Sequence, residues 1–176
     1  MLETILLTLL IYVVVRTFLF ENYQVVGQSM MPTLQDGQYL VVSKLDYRLH
    51  EPQRGDVIVF LDPRSSDRKL IKRIIGLPGE MVQIRNGAVF VNEQRLNEPY
   101  IKNPALYNQP PTPVPAEHYY VLGDNRSNSS DSHNWGTLDG EMIVGKAWLS
   151  YWPPEVWGML AHADYSNLAE QSQATP

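Results

Sequence analysis

Cysteine does not occur in this chain, so disulfides, thiol nucleophiles and thiolate metal sites are excluded. Histidine is scarce. His50, His118, His133 and His162 stand apart and at no metal-ligand spacing, so neither a metal nor an organic cofactor is expected. The net charge is −5 with both signs mixed throughout, and no basic block occurs. That removes nucleic acid as a partner. Beyond residue 22 no segment keeps a helical period, which argues against an α-rich domain. Internal repeats are absent as well.

What the chain does have is apolar material, 44% of its 176 residues, and a long apolar start. Residues 4–20 read TILLTLLIYVVVRTFLF, with aliphatic side chains on every side of a helix. An interfacial helix needs a polar face, and this stretch has none. A secretory leader would open on basic residues and end on a small-x-small cleavage site; both are missing. At 1.5 Å per residue the run reaches about 25 Å, a little under a bilayer's hydrocarbon core. A single transmembrane anchor over residues 1–22 is the preferred reading, with a buried core helix as the other. Arg16 is placed to snorkel to the interface and Tyr23 to anchor there. Lys and Arg are too sparse around the run to orient it.

After the anchor the pattern changes period. QYLVVSKL (38–45), DVIVFLD (56–62), LIKRIIG (70–76), MVQIR (81–85), AVFVN (88–92), HYYVLG (118–123) and KAWLSYW (146–152) are short, β-rich and bounded by turn residues. Asn86-Gly87 between two of them predicts a two-residue hairpin. NPALYNQPPTPVP (103–115) is too proline-rich for a central strand and reads as an extended surface loop. The expected fold is mostly β: an antiparallel catalytic core behind one helix. The polar tail 161–176 is expected to be disordered.

The stretch GQSMMPTL (27–34) presents Ser29 in a turn. A serine hydroxyl is inert until a base takes its proton. One candidate base is His133, with Asp131 two residues before it in DSHNWG, the makings of a Ser-His-Asp arrangement. The other is Lys72 in LIKRIIG. On a strand Leu70, Lys72 and Ile74 share one face and Ile71, Arg73 and Ile75 the other, so both cations sit among aliphatics. Burial disfavours an ammonium and so prepares a lysine to act as a base. Arg73 cannot usefully lose its proton and needs a carboxylate, for which Asp124 is available. The polar stretch GDNRSNSSDSHNWG (123–136) follows a hydrophobic strand directly, a setting in which functional groups gather.

An apolar anchor followed in order by SMMPTL (29–34), RGDVIVF (54–60), KRIIGLPGE (72–80) and GDNRSNSSDS (123–132) resembles type I signal peptidase, a membrane-bound Ser-Lys endopeptidase family. The match runs from about residue 5 to residue 152. The resemblance implies Ser29 as nucleophile and Lys72 as general base. It implies Ser129 as the serine that orients the lysine, with Asp124, Asp131 and Arg73 supporting the site. It implies secretory precursor proteins as substrates, a lipid membrane as the setting, and cleavage after small residues. The domain would lie on the extracytoplasmic face of the cell membrane. Val25, Leu34 and Ile71 flank the catalytic positions and are candidates for lining the substrate pocket. The family's β core with an inserted cap implies a peptidase domain over 23–160 and a small cap at roughly 86–116. Three positions depart from the family pattern. Gly27 stands where some members carry an oxyanion-binding serine, His133 where many carry Arg, and Glu80 where Asp is commoner. Rival readings are a self-cleaving Ser-Lys regulator and a membrane-tethered β-domain that binds extended peptides without cutting them.

Overall fold

Alternating Val, Ile, Leu and Tyr become strands in the computed structural model, which describes residues 1–14, 19–163 and 165. Helix α1 (Leu2–Val14) leads into β1 (Phe20–Gln24), β2 (Tyr39–Ser43), the short helix α2 (Asp46–Leu49), β3 (Val57–Asp62) and β4 (Ser65–Gly76). Then come β5 (Met81–Arg85), β6 (Ala88–Val91), β7 (Gln94–Arg95), β8 (Gln109–Pro113) and β9 (His118–Leu122). The chain closes with α3 (Ser132–Trp135), β10 (Leu138–Asp139), β11 (Ile143–Trp152) and β12 (Gly158–Met159). Every strand pairing is antiparallel.

Eight strands form one sheet in the order β1-β2-β11-β3-β4-β9-β10, with β12 added to β11. β4 lies inside it, between β3 and β9, with Lys72 opposite Ile58 and Arg73 opposite Val57 and Leu122. An interior strand has no free edge, so its side chains are fixed by neighbours on both sides. The second sheet has the order β7-β6-β5-β8. It runs from Met81 to Pro113, so the expected insertion boundary at residue 86 falls within its first hairpin. That hairpin turns on Asn86 (φ 50°) and Gly87 (φ 77°), the left-handed pair that a type I′ turn demands. The proline-rich QPPTP is a strand after all. It takes the edge position beside β5, where a strand has a partner on one side only and the missing N–H groups of its prolines are tolerated.

Three apolar clusters fill the interior. One, of Val82, Ile84, Val89, Val91 and Tyr120, joins the second sheet to the first. Another packs Met30 and Leu34 against Val42, Val59 and Ile71, and so holds the turn carrying Ser29 down on the main sheet.

Two further boundaries differ from expectation. Phe20–Asn22 belong to β1, paired with Ser43–Val41, rather than to the anchor. The pairing satisfies the backbone there, and the Phe20 ring stacks on Trp148 at 6.1 Å. Tyr165, expected in a disordered tail, is 8% exposed in the apolar cluster beneath the second sheet and hydrogen-bonded to Tyr100. Ala163, also in the expected tail, packs against that cluster, while residue 164, residues 166–176 and the expected snorkelling residue Arg16 lie outside the described residues. Helix α1 is 13 residues long, about 20 Å, and among the described residues no helix is long and apolar enough to cross a membrane.

Candidate active site

Buried apolar side chains place Ser29. Met30 and Leu34 anchor its turn from below, and the Leu34 N–H donates to the Met30 carbonyl at 2.9 Å. Across the turn the Asn125 backbone N–H donates to the Ser29 carbonyl (3.0 Å), and Asn125 Nδ2 donates to the Gln28 carbonyl (3.1 Å). The stretch 123–136 is therefore laced directly to the serine turn. Gly123 makes that approach possible: a Cβ there would overlap the Ser29 carbonyl and the Ser129 hydroxyl.

Lys72 is 3% exposed. Its Nζ lies 2.6 Å from Ser29 Oγ and donates to the Ile71 carbonyl at 2.9 Å. Burial lowers its pKa from 10.5 to about 8. The charges of Asp131 and Asp124 oppose that fall, while Arg64 adds to it. A neutral amine beside a serine hydroxyl can accept its proton. Ser129 contributes less than its expected role. Its Oγ is buried beside Gly123 but makes no hydrogen bond, and in particular none to Lys72.

Arg73 points away from the dyad and meets Asp124 in a two-pronged pair, Nε to Oδ1 at 2.9 Å and Nη2 to Oδ2 at 2.7 Å. Both residues are 1% exposed. Nη1 donates to the Gly55 carbonyl at 2.8 Å, and the guanidinium lies 4.0 Å over the Tyr100 ring. Burial alone would lower the Arg73 pKa. The hydrogen bonds and charge of Asp124 outweigh it and raise the value above that of an ordinary arginine. Thr33 Oγ1, at the end of the serine turn, donates to Asp124 Oδ2 at 2.6 Å. Asp131 accepts from the Gly123 N–H (2.9 Å) and from His133 Nδ1 (2.6 Å), and it caps α3.

The histidine alternative finds no support in this geometry. The His133 ring is stacked on Tyr107, with centroids 3.9 Å apart, and no hydrogen bond joins it to Ser29 among the described residues. Val25, Leu34 and Ile71 are 2%, 0% and 3% exposed and belong to the cluster under the serine turn. They offer a bound side chain almost no open surface as they stand. The Gly27 N–H is taken by Asp36 Oδ1 at 2.7 Å. The Ser29 N–H donates no hydrogen bond among the described residues, which leaves it available as an oxyanion donor. Glu80 accepts from Arg54 Nη1 at 2.8 Å and from the Leu77 N–H at 2.7 Å, so the longer acid still closes the LPGE turn.

Sequence reasoning missed the partners supplied by distant segments. Glu98 pairs with the fully buried Arg126, which ties the loop between β7 and β8 to the 123–136 stretch. Tyr100 and Thr33 brace the Arg73–Asp124 pair. The signal in the sequence was the concentration of charge in a stretch leading directly out of β9. Four of its polar residues, Asp124, Arg126, Asp131 and Ser132, are buried and hydrogen-bonded.

A serine hydroxyl bound to a buried, readily deprotonated lysine, on an antiparallel β scaffold, is the layout of a serine hydrolase that works without histidine. Comparison with known proteins agrees. The family model described as signal peptidase, peptidase S26, matches residues 1–152. Signal peptidase I of Leptolyngbya laminosa is 42% identical, over 90% of this chain and 81% of its own length. Probable signal peptidase I-2 of Synechocystis sp. is 40% identical, over 99% of this chain and 84% of its own. The crystal structure of a signal peptidase I from Enterococcus faecalis V583 superposes with a TM-score of 0.51 at 32% identity, over 55% of this chain and 97% of that one. The chain belongs to the signal peptidase family, peptidase S26, and is a peptidase of the signal peptidase I kind.

Proposed function

We propose that this chain is a membrane-bound endopeptidase that removes N-terminal signal peptides from secretory precursor proteins, with Ser29 as nucleophile and Lys72 as general base. The observation that carries the reading is the 2.6 Å contact between Lys72 Nζ and Ser29 Oγ inside a buried site. Neutral Lys72 takes the Ser29 proton as Oγ attacks the scissile carbonyl. The Ser29 backbone N–H faces the developing oxyanion. Lys72 then gives the proton to the leaving amine, and water releases the acyl group. Asp124 with Arg73, and Asp131 with the Gly123 amide, hold the stretch that braces the serine turn. Ser129 lies beside Gly123, within the same packed group, and serves to confine the lysine.

The peptidase domain of this proposal runs from β1 at Phe20 to Tyr165, with the second sheet as its cap. The N-terminal segment is a single-pass anchor, with the domain on the extracytoplasmic face of the cell membrane. Support comes from the apolar run at 4–20 and from α1, whose side chains from Ile5 to Val13 are broadly exposed. An anchor confines enzyme and precursor to one surface and raises their effective concentration. The pocket is proposed to form above Val25, Leu34 and Ile71 when an extended substrate pairs along a strand edge. The test is incubation with a signal-peptide precursor in detergent, followed by mass spectrometry of the products. A single cut after a small residue is expected. Binding without cleavage would leave the peptide-binding β-domain as the better reading.

A further inference from the structure

We propose that His133 is a positioning residue that works through Asp131 to set the electrostatic field around Lys72, making the peptidase respond to the protonation of a second group. This rests on Lys72 being the base. Asp131 is fully buried and reaches the dyad through Gly123. It accepts from the Gly123 N–H, and Gly123 abuts the Ser29 carbonyl and the Ser129 hydroxyl. The carboxylates around Lys72 differ in how they are compensated. Asp124 is matched by two hydrogen bonds from Arg73, and Asp62 is held by Arg64 and Arg68. Those cations keep their charge at any working pH. Asp131 is matched by His133 Nδ1 at 2.6 Å, and histidine is the side chain that changes charge between about pH 5 and pH 8.

The other groups around His133 do not titrate in that range. Tyr107 lies against its ring, and Tyr120 is a further phenol that feels the charge of Asp131. Burial pushes both phenols upward, so they stay neutral. Arg126 is locked to Glu98 by two hydrogen bonds. Nδ1–H donates to Asp131 in the neutral and the protonated ring alike, so the geometry persists while the charge changes. With His133 protonated, Asp131 is compensated and the Lys72 ammonium loses a stabilising neighbour, so its proton leaves more easily. With His133 neutral, Asp131 acts on Lys72 uncompensated and holds the proton.

The experiment compares kcat/KM against pH for His133→Arg, which fixes a positive charge, and His133→Gln, which never carries one. The acid limb of His133→Arg is expected about half a unit to one unit of pH below that of His133→Gln, as for one charge acting across the width of a site. A histidine with a structural role alone would scale activity equally at every pH and leave the midpoint in place. If His133→Arg does not fold, as judged by its melting curve, His133→Lys supplies the same charge. Coincident limbs, or an Arg limb above the Gln limb, would overturn the proposal. Lys72→Ala, assayed alongside, separates the two readings. Activity surviving in it removes the lysine base, whereas its inactivity together with coincident limbs removes only the coupling through His133.

Discussion

Ser29→Ala and Lys72→Ala are each expected to lower kcat/KM for a signal-peptide substrate by at least about a thousandfold while leaving the fold intact, because nucleophile and base act as one unit. The geometry behind this is direct: Lys72 Nζ is the hydrogen-bond partner of Ser29 Oγ, and no histidine competes for it among the described residues. Lys72→Met sharpens the test. It keeps the apolar stem and removes the amine, so it should be equally inactive. It should also be at least as stable at neutral pH. Burial lowers the lysine pKa to about 8 from 10.5. A depressed lysine pKa means that folding disfavours the ammonium. The penalty is fully present below the folded pKa and vanishes as pH rises through the unfolded one. Across that gap it amounts to about 3 kcal/mol. A melting temperature for Lys72→Met well below wild type at pH 7, or turnover in either alanine variant, would contradict the assignment.

Asp124→Ala is expected to be the most destabilising single change near the site. Arg73 and Asp124 are each 1% exposed, and removing the carboxylate leaves a guanidinium inside the protein with only the Gly55 carbonyl and the Tyr100 ring as partners. Breaking a buried pair from one side costs about 3–5 kcal/mol, which in a chain of this size corresponds to a loss of about 10 °C in Tm. Cleavage should fall as well, since Asp124 also holds Thr33 at the end of the serine turn. The double variant Arg73→Met/Asp124→Leu removes both charges. Its Tm should lie above that of Asp124→Ala. Equal or lower stability of the double variant, measured by thermal melts, would show that the pair contributes more than mutual compensation.

The parts of the molecule written locally were legible in the sequence. The strands over 39–43, 57–62, 81–85, 88–91 and 118–122 fall within short β-rich runs bounded by turn residues, and the Asn86-Gly87 turn follows from its two residues alone. The opposite facing of Lys72 and Arg73 followed from the period of a strand, and the aliphatics around them pointed to burial. Pairings across long loops were not legible. QPPTP becomes a strand because β5 offers an edge, which nothing within residues 103–115 announces. Glu98 with Arg126, and Tyr100 with Arg73, join segments separated in sequence, and an isolated glutamate or tyrosine in a loop carries no sign of its partner. Tyr165 was hidden by its polar neighbours, although one aromatic side chain suffices to pin a chain end against a core. The Ser29–Lys72 pairing was legible only as a set of ordered motifs. Neither residue alone distinguishes a nucleophile from a turn serine, or a base from a lysine at a strand edge.

The pH dependence of kcat/KM bears most directly on the central claim that neutral Lys72 activates Ser29. Cleavage of a signal-peptide substrate in detergent, followed from about pH 6 to about pH 10, reports the ionisation of the free enzyme's essential base. Activity should rise along a single acid limb with its midpoint near 8, where burial places the Lys72 ammonium. A limb centred near pH 6, or one that persists unchanged in Lys72→Ala, would mean that another group takes the serine proton.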